Sequence, residues 1–462
     1  MDRAIVVSAD GHASVPPELW PTYLEEAYHH LLPGLLDENE KYGRAMWPLN
    51  NMNIGPEQQK VFDPDGYFYP QRRWSGMWDL EVRLEELERE GVAAELVYFG
   101  DFRTSDLFHN VMNRVYPPDA MDAGARAYDR WAHDTFGGHP DRFLLSGAIG
   151  SCTDVDGLVA ELGWVAEHGF VGTYAPGFNG LPGLPPLYDP YWDRVWATYA
   201  ETGLVPIVHG GYGLDQGMAF SMIEESLRVV DARNGSDMDL VMEMAKGFNE
   251  DFFVDLRCRR AMCQLMLGGV FDRNPGLKLA MVEVRADWLP DALKVLDAVF
   301  EEHRRDLPTD RRPSEWWESN CIAGLSFMHQ AEVEMRDQIG IDNLAFGRDY
   351  PHTEGTWPNT EAYLKLIFSG VPKDDVRKVL GENALRFFGL DRTRLAEIAA
   401  RIGPDLDAIT DPSAAADVDA QLVEHLARRC GVLKPAEGDV RAAALRQLLD
   451  DDVARIGALA LR

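Results

Sequence analysis

Eight short apolar segments, each ending in a polar or glycine-containing tip, are the feature of this sequence that most restricts its fold. They are residues 4–8, 93–98, 143–149, 170–174, 204–209, 277–284, 320–325 and 344–349. Amphipathic patterns typical of helices lie between most of them, at residues 81–90, 121–136, 155–168, 190–201, 289–303 and 332–339. Continuous apolar strands that alternate with amphipathic helices indicate a parallel sheet covered by helices. Eight such units predict an α/β protein with a closed (β/α)8 barrel, known as a TIM barrel.

The alternative fold for this pattern is an open, doubly wound sheet. Such a sheet usually carries a glycine-rich phosphate-binding turn after its first strand. The segment at that place reads SADGHASVPPE, which is not such a turn. The chain has 462 residues, of which 46% are hydrophobic, and this suffices for one barrel with additions. The barrel is therefore the favoured fold.

The barrel is assigned to residues 1–390. Two regions are additions to a minimal barrel, one inserted within this range and one following it. Residues 30–78 form a long, irregular stretch rich in Trp, Tyr, Pro and Asn after the first strand. That position lies at the C-terminal face of a barrel, so an insertion that acts as a lid over the site is expected. A surface excursion with its own packing cluster is the alternative. Residues 391–462 are Ala-rich and predict a helical C-terminal extension.

Charge and cysteine content narrow the class of protein. The formal net charge is -31, which repels phosphate backbones and anionic lipids, so neither nucleic acid nor a membrane is an expected partner. The five cysteines are scattered, without a CxxC pair, which is typical of free thiols in a reducing compartment. The opening MDRAIVVSADGH has too short an apolar run for a signal peptide or membrane span. These features predict a cytoplasmic enzyme.

Polar side chains at the ends of three predicted strands suggest a metal site. Asp10 and His12 flank Gly11 on an extended segment, so their side chains point the same way. His209 ends the apolar run VPIVH, and Asp349 ends LAFGRD. Each residue alone has an ordinary structural explanation, such as a hydrogen bond or a helix cap. Together they would meet at one barrel face, where catalytic groups lie.

The types of these side chains indicate which metals would bind. Carboxylates combined with imidazoles suit zinc, iron or manganese better than calcium. His352 follows Asp349 by three residues, and Glu283 ends the sixth predicted strand. A lone buried Glu is costly unless it is paired, protonated or bound to metal. A salt bridge to Arg285 or Arg257 is the alternative role for it.

Several stretches together resemble the amidohydrolase superfamily, in the branch that includes aminocarboxymuconate semialdehyde decarboxylase. They are SADGH, WDLEVRLEELEREGVAAELVYFG, GGVFDRNPGLKLAMVEVRADWLPDALKVLD and FGRDYPHTEGTWPNTEAYLKLIFSGVPKDDVRKVLGENALRFFGLD, and the resemblance spans residues 3–391. It implies that Asp10, His12, His209 and Asp349 occupy the metal positions. The first of these is usually His or Glu in the decarboxylase relatives, so Asp10 is a departure.

A second departure concerns the sixth strand. The decarboxylase-like members carry a histidine there that works in acid–base catalysis, whereas this chain has Glu283. Thr173 and Tyr174 end the fourth strand, where two-zinc hydrolases of the superfamily have a lysine, so a carbamylated-lysine bridge is not expected. Glu283 and His352 are the predicted catalytic residues.

The possible ligands outnumber those of a single open zinc site, which needs three or four. The predicted metal residues are Asp10, His12, His209, Glu283, Asp349 and His352. They suit two ions and resemble a small set of amidohydrolase-related enzymes with a dinuclear iron or iron–manganese centre. Those enzymes activate O2 and hydroxylate C–H bonds, so a dinuclear non-haem monooxygenase is the favoured function, on a small or medium organic acid.

Two other functions remain open. One is a mononuclear zinc or manganese hydrolase or non-oxidative decarboxylase, in which Glu283 or His352 would move the proton. The other is a non-catalytic partner subunit. Barrels of this branch are often dimers, so the resemblance implies a homo-oligomer or pairing with a paralogous subunit.

Substrate contacts are predicted from residues near strand tips and the long insertion. An arginine can hold a substrate carboxylate through two parallel hydrogen bonds, and aromatic side chains can wall an apolar pocket. The predicted substrate-binding residues are Arg257, Arg285, Tyr174, Tyr212 and Trp357. Further candidates are Arg72, Arg73, Arg259, Trp47, Tyr67, Tyr69 and Trp74.

Overall fold

The strands form one parallel sheet that closes on itself. The computed structural model describes residues 2–51, 73–100, 106–232, 256–352, 355–430 and 442–460. Its strands are β1 (Val7–Ser8), β2 (His12–Ala13), β3 (Ala94–Phe99), β4 (Phe143–Gly147), β5 (Gly172–Tyr174), β6 (Val205–His209), β7 (Leu279–Val282), β8 (Cys321–Leu325) and β9 (Leu344–Phe346). They pair in parallel in the order β1-β3-β4-β5-β6-β7-β8-β9, and β2 also pairs with β3.

The first barrel strand is interrupted, with β1 and β2 as its two halves. Backbone bonds join it to the last strand and close the barrel: Ala9 N donates to Phe346 O at 2.7 Å, and Asp349 N donates to Asp10 O at 3.1 Å. All eight predicted strands are present, so the (β/α)8 barrel is confirmed. The break falls at residues 9–11, which contain Asp10.

Helices surround the barrel in the predicted alternation. They are α1 (Trp20–Tyr23), α2 (Leu32–Asn51), α3 (Leu80–Arg89), α4 (Pro118–Phe136), α5 (Val155–Glu167), α6 (Asp193–Thr202), α7 (Met218–Ala232), α8 (Leu256–Leu267), α9 (Val270–Arg273), α10 (Leu289–His303), α11 (Pro313–Asn320), α12 (Gln330–Glu334), α13 (Arg336–Ile339), α14 (Thr360–Phe368), α15 (Lys373–Arg377), α16 (Asn383–Phe388), α17 (Arg392–Ile402), α18 (Leu406–Thr410), α19 (Ala420–Cys430) and α20 (Ala442–Ala460). Among these described helices, none is both long and apolar enough to cross a membrane.

The predicted helices agree with the observed ones to within a few residues, with two exceptions. The 190–201 pattern begins as a 3-10 turn, Pro190–Trp192, before α6. The 332–339 pattern is split into α12 and α13 at Met335.

The insertion after the first strand is more regular than the sequence suggests. The expectation of irregular structure is wrong for α2, whose buried Leu35, Glu38 and Tyr42 share one helical face. Pro33 is tolerated because it lies in the first turn, where the backbone N–H has no helical partner. Residues 52–72, including Tyr67, Tyr69 and Arg72, lie outside the described residues, as do the side chains of Trp47, Arg73 and Trp74. The lid therefore stays a prediction.

Helix α2 packs on α7, which follows the strand that carries His209. Tyr42 joins Ile223 and Leu227 in a small apolar cluster, and Lys41 Nζ lies 3.0 Å from Glu224 Oε1. Two segments that leave the C-terminal barrel face thus contact each other outside it.

The described residues after 390 are mostly helical, as the sequence predicts, and the last of these helices, α20, is anchored on the barrel. Asp452 of α20 is buried, and Arg260 of α8 donates to its Oδ2 from Nε at 2.8 Å. The hydroxyl of Tyr188 and the amide of Gln264 donate to Oδ1 at 3.1 and 3.2 Å. The division of the chain at residue 390 into two domains stays a prediction.

We expect Asp452→Ala to lower the free energy of unfolding by about 3 kcal/mol, because Arg260 would lose the buried carboxylate that it pairs with. Urea unfolding followed by circular dichroism measures the change. The matched control is Asp450→Ala on the same helix. Asp450 is exposed and lies 3.1 Å from Arg446, so this change should cost no more than about 1 kcal/mol. Equal losses in the two variants would contradict the anchoring role.

Candidate metal centre

The four residues that the family resemblance places at the metal positions all lie at the carboxyl ends of barrel strands. Asp10 occupies the break between β1 and β2, and His12 begins β2. His209 is the last residue of β6, and Asp349 follows β9 by three residues. All four side chains are buried. The parallel strands bring together residues that are up to 339 positions apart in the sequence.

The ring nitrogen Nε2 of His12 lies between two carboxylates. It is 3.4 Å from Asp10 Oδ1 and 3.3 Å from Asp349 Oδ1. Nε2 of His209 lies 3.4 Å from the same Asp10 oxygen. The donor atoms of Asp10, His12 and His209 all lie within 4.8 Å of one another, which is close enough for them to share one first-row divalent cation.

The hydrogen bonds of His12 prepare it as a ligand. Its Nδ1 lies 3.0 Å from the carbonyl oxygen of Phe99, which accepts a hydrogen bond from that nitrogen. Its Nε2 is buried and has no hydrogen-bond partner among the described residues. Burial lowers the pKa of His12 well below its ordinary value, and His352 and His209 lower it further. A neutral imidazole with its lone pair on Nε2 fits a metal ion at this point.

Asp10 is held in its charged form. Burial alone would raise its pKa, but His209 and His12, together with a hydrogen bond from the Ser326 hydroxyl, lower it to about 2. The Ser326 hydroxyl donates to Oδ2, whereas Oδ1 is the oxygen that faces the two histidines. Ser326 was not among the predicted site residues, although it directly follows β8 at the carboxyl end of that strand.

His352 lies beside the cluster. Its ring stacks on that of His12 with 4.0 Å between centroids, and its Nδ1 is 3.0 Å from Asp349 Oδ1. The described residues contain two groups able to hold an ion: Asp10, His12 and His209, and His12, Asp349 and His352. His12 belongs to both groups but has one nitrogen available, because Phe99 engages the other.

Glu283 follows β7 and contacts Nδ1 of His209, the ring nitrogen that does not face Asp10. Its Oε2 lies 3.2 Å from His209 Nδ1, and the Gly210 carbonyl oxygen is also 3.2 Å from that nitrogen. Both acceptors favour a proton on Nδ1, which leaves Nε2 of His209 to face Asp10. A carboxylate in this position fixes the tautomer and orientation of a metal-binding histidine. The roles of Glu283 as a ligand or proton carrier stay predictions.

Arg285, one of the two arginines considered as an alternative partner of Glu283, pairs with Asp287. Arg285 donates to Asp287 from Nε at 3.0 Å and from a terminal nitrogen at 2.5 Å. Both Glu283 and Arg285 have left-handed backbone, with φ of 56° and 51°. Such strain in residues with side chains is concentrated at functional sites.

Among the predicted substrate-binding residues, Tyr174 is adjacent to the candidate metal centre. Its ring centroid lies 5.4 Å from that of His209, and its hydroxyl donates to Phe99 O at 3.2 Å. The hydroxyl of Tyr212 donates to Pro176 O at 2.6 Å.

The other predicted substrate-binding residues have structural contacts. Trp357 donates from its indole nitrogen to Glu86 Oε2 at 2.6 Å and packs against Tyr350. The aliphatic part of Arg257 approaches Gly213. The substrate contacts of this set stay predictions.

A closed barrel with a carboxylate and imidazole cluster at the carboxyl ends of its strands is the architecture of a metal-dependent (β/α)8 enzyme. The family model described as amidohydrolase matches residues 9–390. The chain belongs to this family. No curated protein sequence matches it.

Solved structures share the fold at low sequence identity. An amidohydrolase from Mycobacterium avium subsp. paratuberculosis has a TM-score of 0.55 and 19% identity, covering 84% of this chain and 99% of its own. The 5-carboxyvanillate decarboxylase of Sphingomonas paucimobilis has a TM-score of 0.52 and 16% identity, covering 84% and 100%. The 5-carboxyvanillate decarboxylase of Novosphingobium aromaticivorans, complexed with manganese and a nitrobenzoic acid, has a TM-score of 0.54 and 16% identity, covering 84% and 96%.

We expect His12→Ala to reduce bound divalent metal by about tenfold or more, because His12 belongs to both donor groups. Plasma mass spectrometry on protein dialysed after loading with manganese measures the content. The matched control is His109→Ala, since His109 is equally buried and lies in neither group. Undiminished metal in His12→Ala would contradict the site.

Proposed function

We propose that this protein is a metal-dependent enzyme that removes CO2 from a small organic acid without oxidation. The observation that carries the proposal is the buried Nε2 of His12 between two carboxylates, which fits one divalent ion. Asp10, His12, His209 and Asp349 would hold that ion. Solved structures of this fold named as decarboxylases of 5-carboxyvanillate and of 2,6-dihydroxybenzoate support this class of substrate.

A bound divalent ion would act as a Lewis acid that draws the acidic substrate into the site. The chain's own groups keep the ligands in place for it. The Ser326 hydroxyl and the Phe99 carbonyl fix Asp10 and His12, and Glu283 fixes His209 through Nδ1. Side chains held in this way need little rearrangement when the substrate arrives.

Loss of CO2 breaks a carbon–carbon bond and leaves an electron pair on the substrate carbon, which must take up a proton. We assign the proton donor to His352. Asp349 Oδ1 lies 3.0 Å from its Nδ1 and orients the ring, and the ring of His12 stacks on it. Donation from His352 to the carbon completes the reaction without an oxidant.

Aromatic side chains line the barrel beside the metal ligands. The Tyr174 ring lies 4.1 Å from that of Phe99 and 4.3 Å from that of Phe178, measured between centroids. Tyr98 lies 5.2 Å from His209. Such walls exclude water, and a carboxylate that has lost its water shell gives up CO2 more readily.

We expect manganese-loaded protein to release CO2 from a member of a panel of hydroxybenzoic acids with oxygen removed. Liquid chromatography of the decarboxylated product under argon measures the rate. His352→Gln should lower kcat by about a hundredfold or more, the usual contribution of a general acid, and leave manganese content unchanged. His133→Gln, on a partly exposed histidine of α4, is the control and should keep full activity. A requirement for O2 would contradict the proposal.

A second candidate is the dinuclear monooxygenase, which the sequence favours. One observation supports it: Asp349 and His352 form a second donor group with His12. In this reading a second ion, of iron or manganese, would lie between them, and O2 would be a co-substrate.

Metal stoichiometry separates the two candidates. For the decarboxylase we expect one ion per chain, loss of that ion in His209→Ala, and its retention in His352→Ala. Plasma mass spectrometry on protein expressed with iron, manganese and zinc measures these values. Two ions per chain, with one lost in each variant, would instead support the monooxygenase.

A further inference from the structure

Behind the metal ligands lies a second buried group of charges, formed by Arg83 of α3, Glu95 of β3 and Arg348, which precedes Asp349. All three side chains are fully buried. Arg348 donates from Nε to Glu95 Oε1 at 2.6 Å and from a terminal nitrogen to Oε2 at 3.2 Å. Arg83 donates from Nε to Glu95 Oε2 at 2.8 Å. We call this group the rear ion cluster.

The rear ion cluster lies on the side of the strands opposite to the ligands. The side chains of Asp10 and His12 meet at the metal centre, whereas a Cβ on Gly11 would point away from it. That Cβ would lie 2.5 Å from Glu95 Oε1 and 2.9 Å from a terminal nitrogen of Arg83. The rear ion cluster fills the space that a side chain at position 11 would need, and this explains the glycine there.

The rear ion cluster also contacts the backbone of the first ligand segment. A terminal nitrogen of Arg83 donates to the carbonyl oxygen of His12 at 2.8 Å. Just after the last strand, the backbone N–H of Arg348 donates to the hydroxyl of Ser8 at 3.0 Å. That hydroxyl in turn donates to the carbonyl oxygen of Asp10 at 2.6 Å. Glu95 thus joins the segment that carries Asp10 and His12 to the residue next to Asp349.

The buried charges of the rear ion cluster are better explained by a role in positioning the candidate metal centre than by a contribution to folding stability. Burying ions costs desolvation energy that their attraction barely repays, and apolar replacements of such groups are often no less stable. What the charged groups supply is directed hydrogen bonds, from Arg83 to the backbone of His12 and from Arg348 to Glu95, which apolar side chains could not make.

We propose that Glu95 is a positioning residue of the metal centre. Its carboxylate accepts hydrogen bonds from Arg83 and Arg348 and thereby sets the separation between the Asp10–His12 segment and Asp349. The proposal rests on the metal-dependent function proposed above, and it adds a residue that contacts no predicted ligand side chain.

The test is the dissociation constant for Mn2+ of purified, metal-free full-length protein, measured by isothermal titration calorimetry. We expect Glu95→Gln to raise this constant at least about tenfold, the usual effect of losing a group that orients ligands. Arg348→Lys, which keeps the charge but loses the two-point grip, should raise it less. In cobalt-loaded protein, the visible absorption bands should shift in Glu95→Gln, because they report ligand geometry.

The matched control is Asp452→Asn, which removes a buried carboxylate from the Arg260 contact on α20. It should lower the midpoint of thermal unfolding but leave the Mn2+ dissociation constant and the cobalt spectrum unchanged. If Glu95→Gln and Arg348→Lys also bind Mn2+ like the unaltered protein, the positioning role is overturned and the metal centre stands. If the unaltered protein binds no Mn2+, both the metal centre and the role of Glu95 are overturned.

Discussion

The structure of this site depends on the burial of three carboxylates at one end of the barrel. Asp10, Asp349 and Glu283 are all nearly inaccessible to water, and the neighbouring His12 is held neutral. Buried charges of one sign are costly unless a cation or hydrogen-bond donors offset them. A divalent ion beside Nε2 of His12 would offset this negative charge and give that nitrogen a partner. Ser326 and the proton on His209 supply the remaining hydrogen bonds.

The alternation of side chains along barrel strands links the site to its support. The side chains of Asp10, His12 and Asp349 lie together in the candidate metal centre. On the other side of the strands, Glu95 packs against Gly11 and pairs with Arg348. The break between β1 and β2 therefore affects both sides of the strand. On the inner side it places Asp10 and His12 in the candidate metal centre, and on the outer side its backbone at Gly11 passes close to the buried carboxylate of Glu95. In this arrangement, the fold determines ligand separation through backbone contacts as well as through the ligands themselves.

Much of this could be predicted from the sequence. Apolar runs and amphipathic patterns predicted the strands and helices. Polar residues at strand ends predicted which side chains lie close together, because parallel strands bring those ends together. The rear ion cluster could not be predicted. Glu95 lies inside an apolar run, and its partner Arg348 is 253 residues away, so the contact depends on strand register. The position of Glu283 beside His209 likewise depends on a local φ of 56° that the sequence does not specify. Helix α2 was missed because its Pro, Trp and Asn content suggests irregular structure.

The most direct test of this account is anomalous diffraction at the manganese edge from crystals of the manganese-loaded protein. The account predicts one strong peak per chain, within bonding distance of His12 Nε2 and His209 Nε2 and of carboxylate oxygens of Asp10 and Asp349. A single peak bonded to Asp349 and His352 but not to His209 would contradict it, as would two peaks or a peak away from His12.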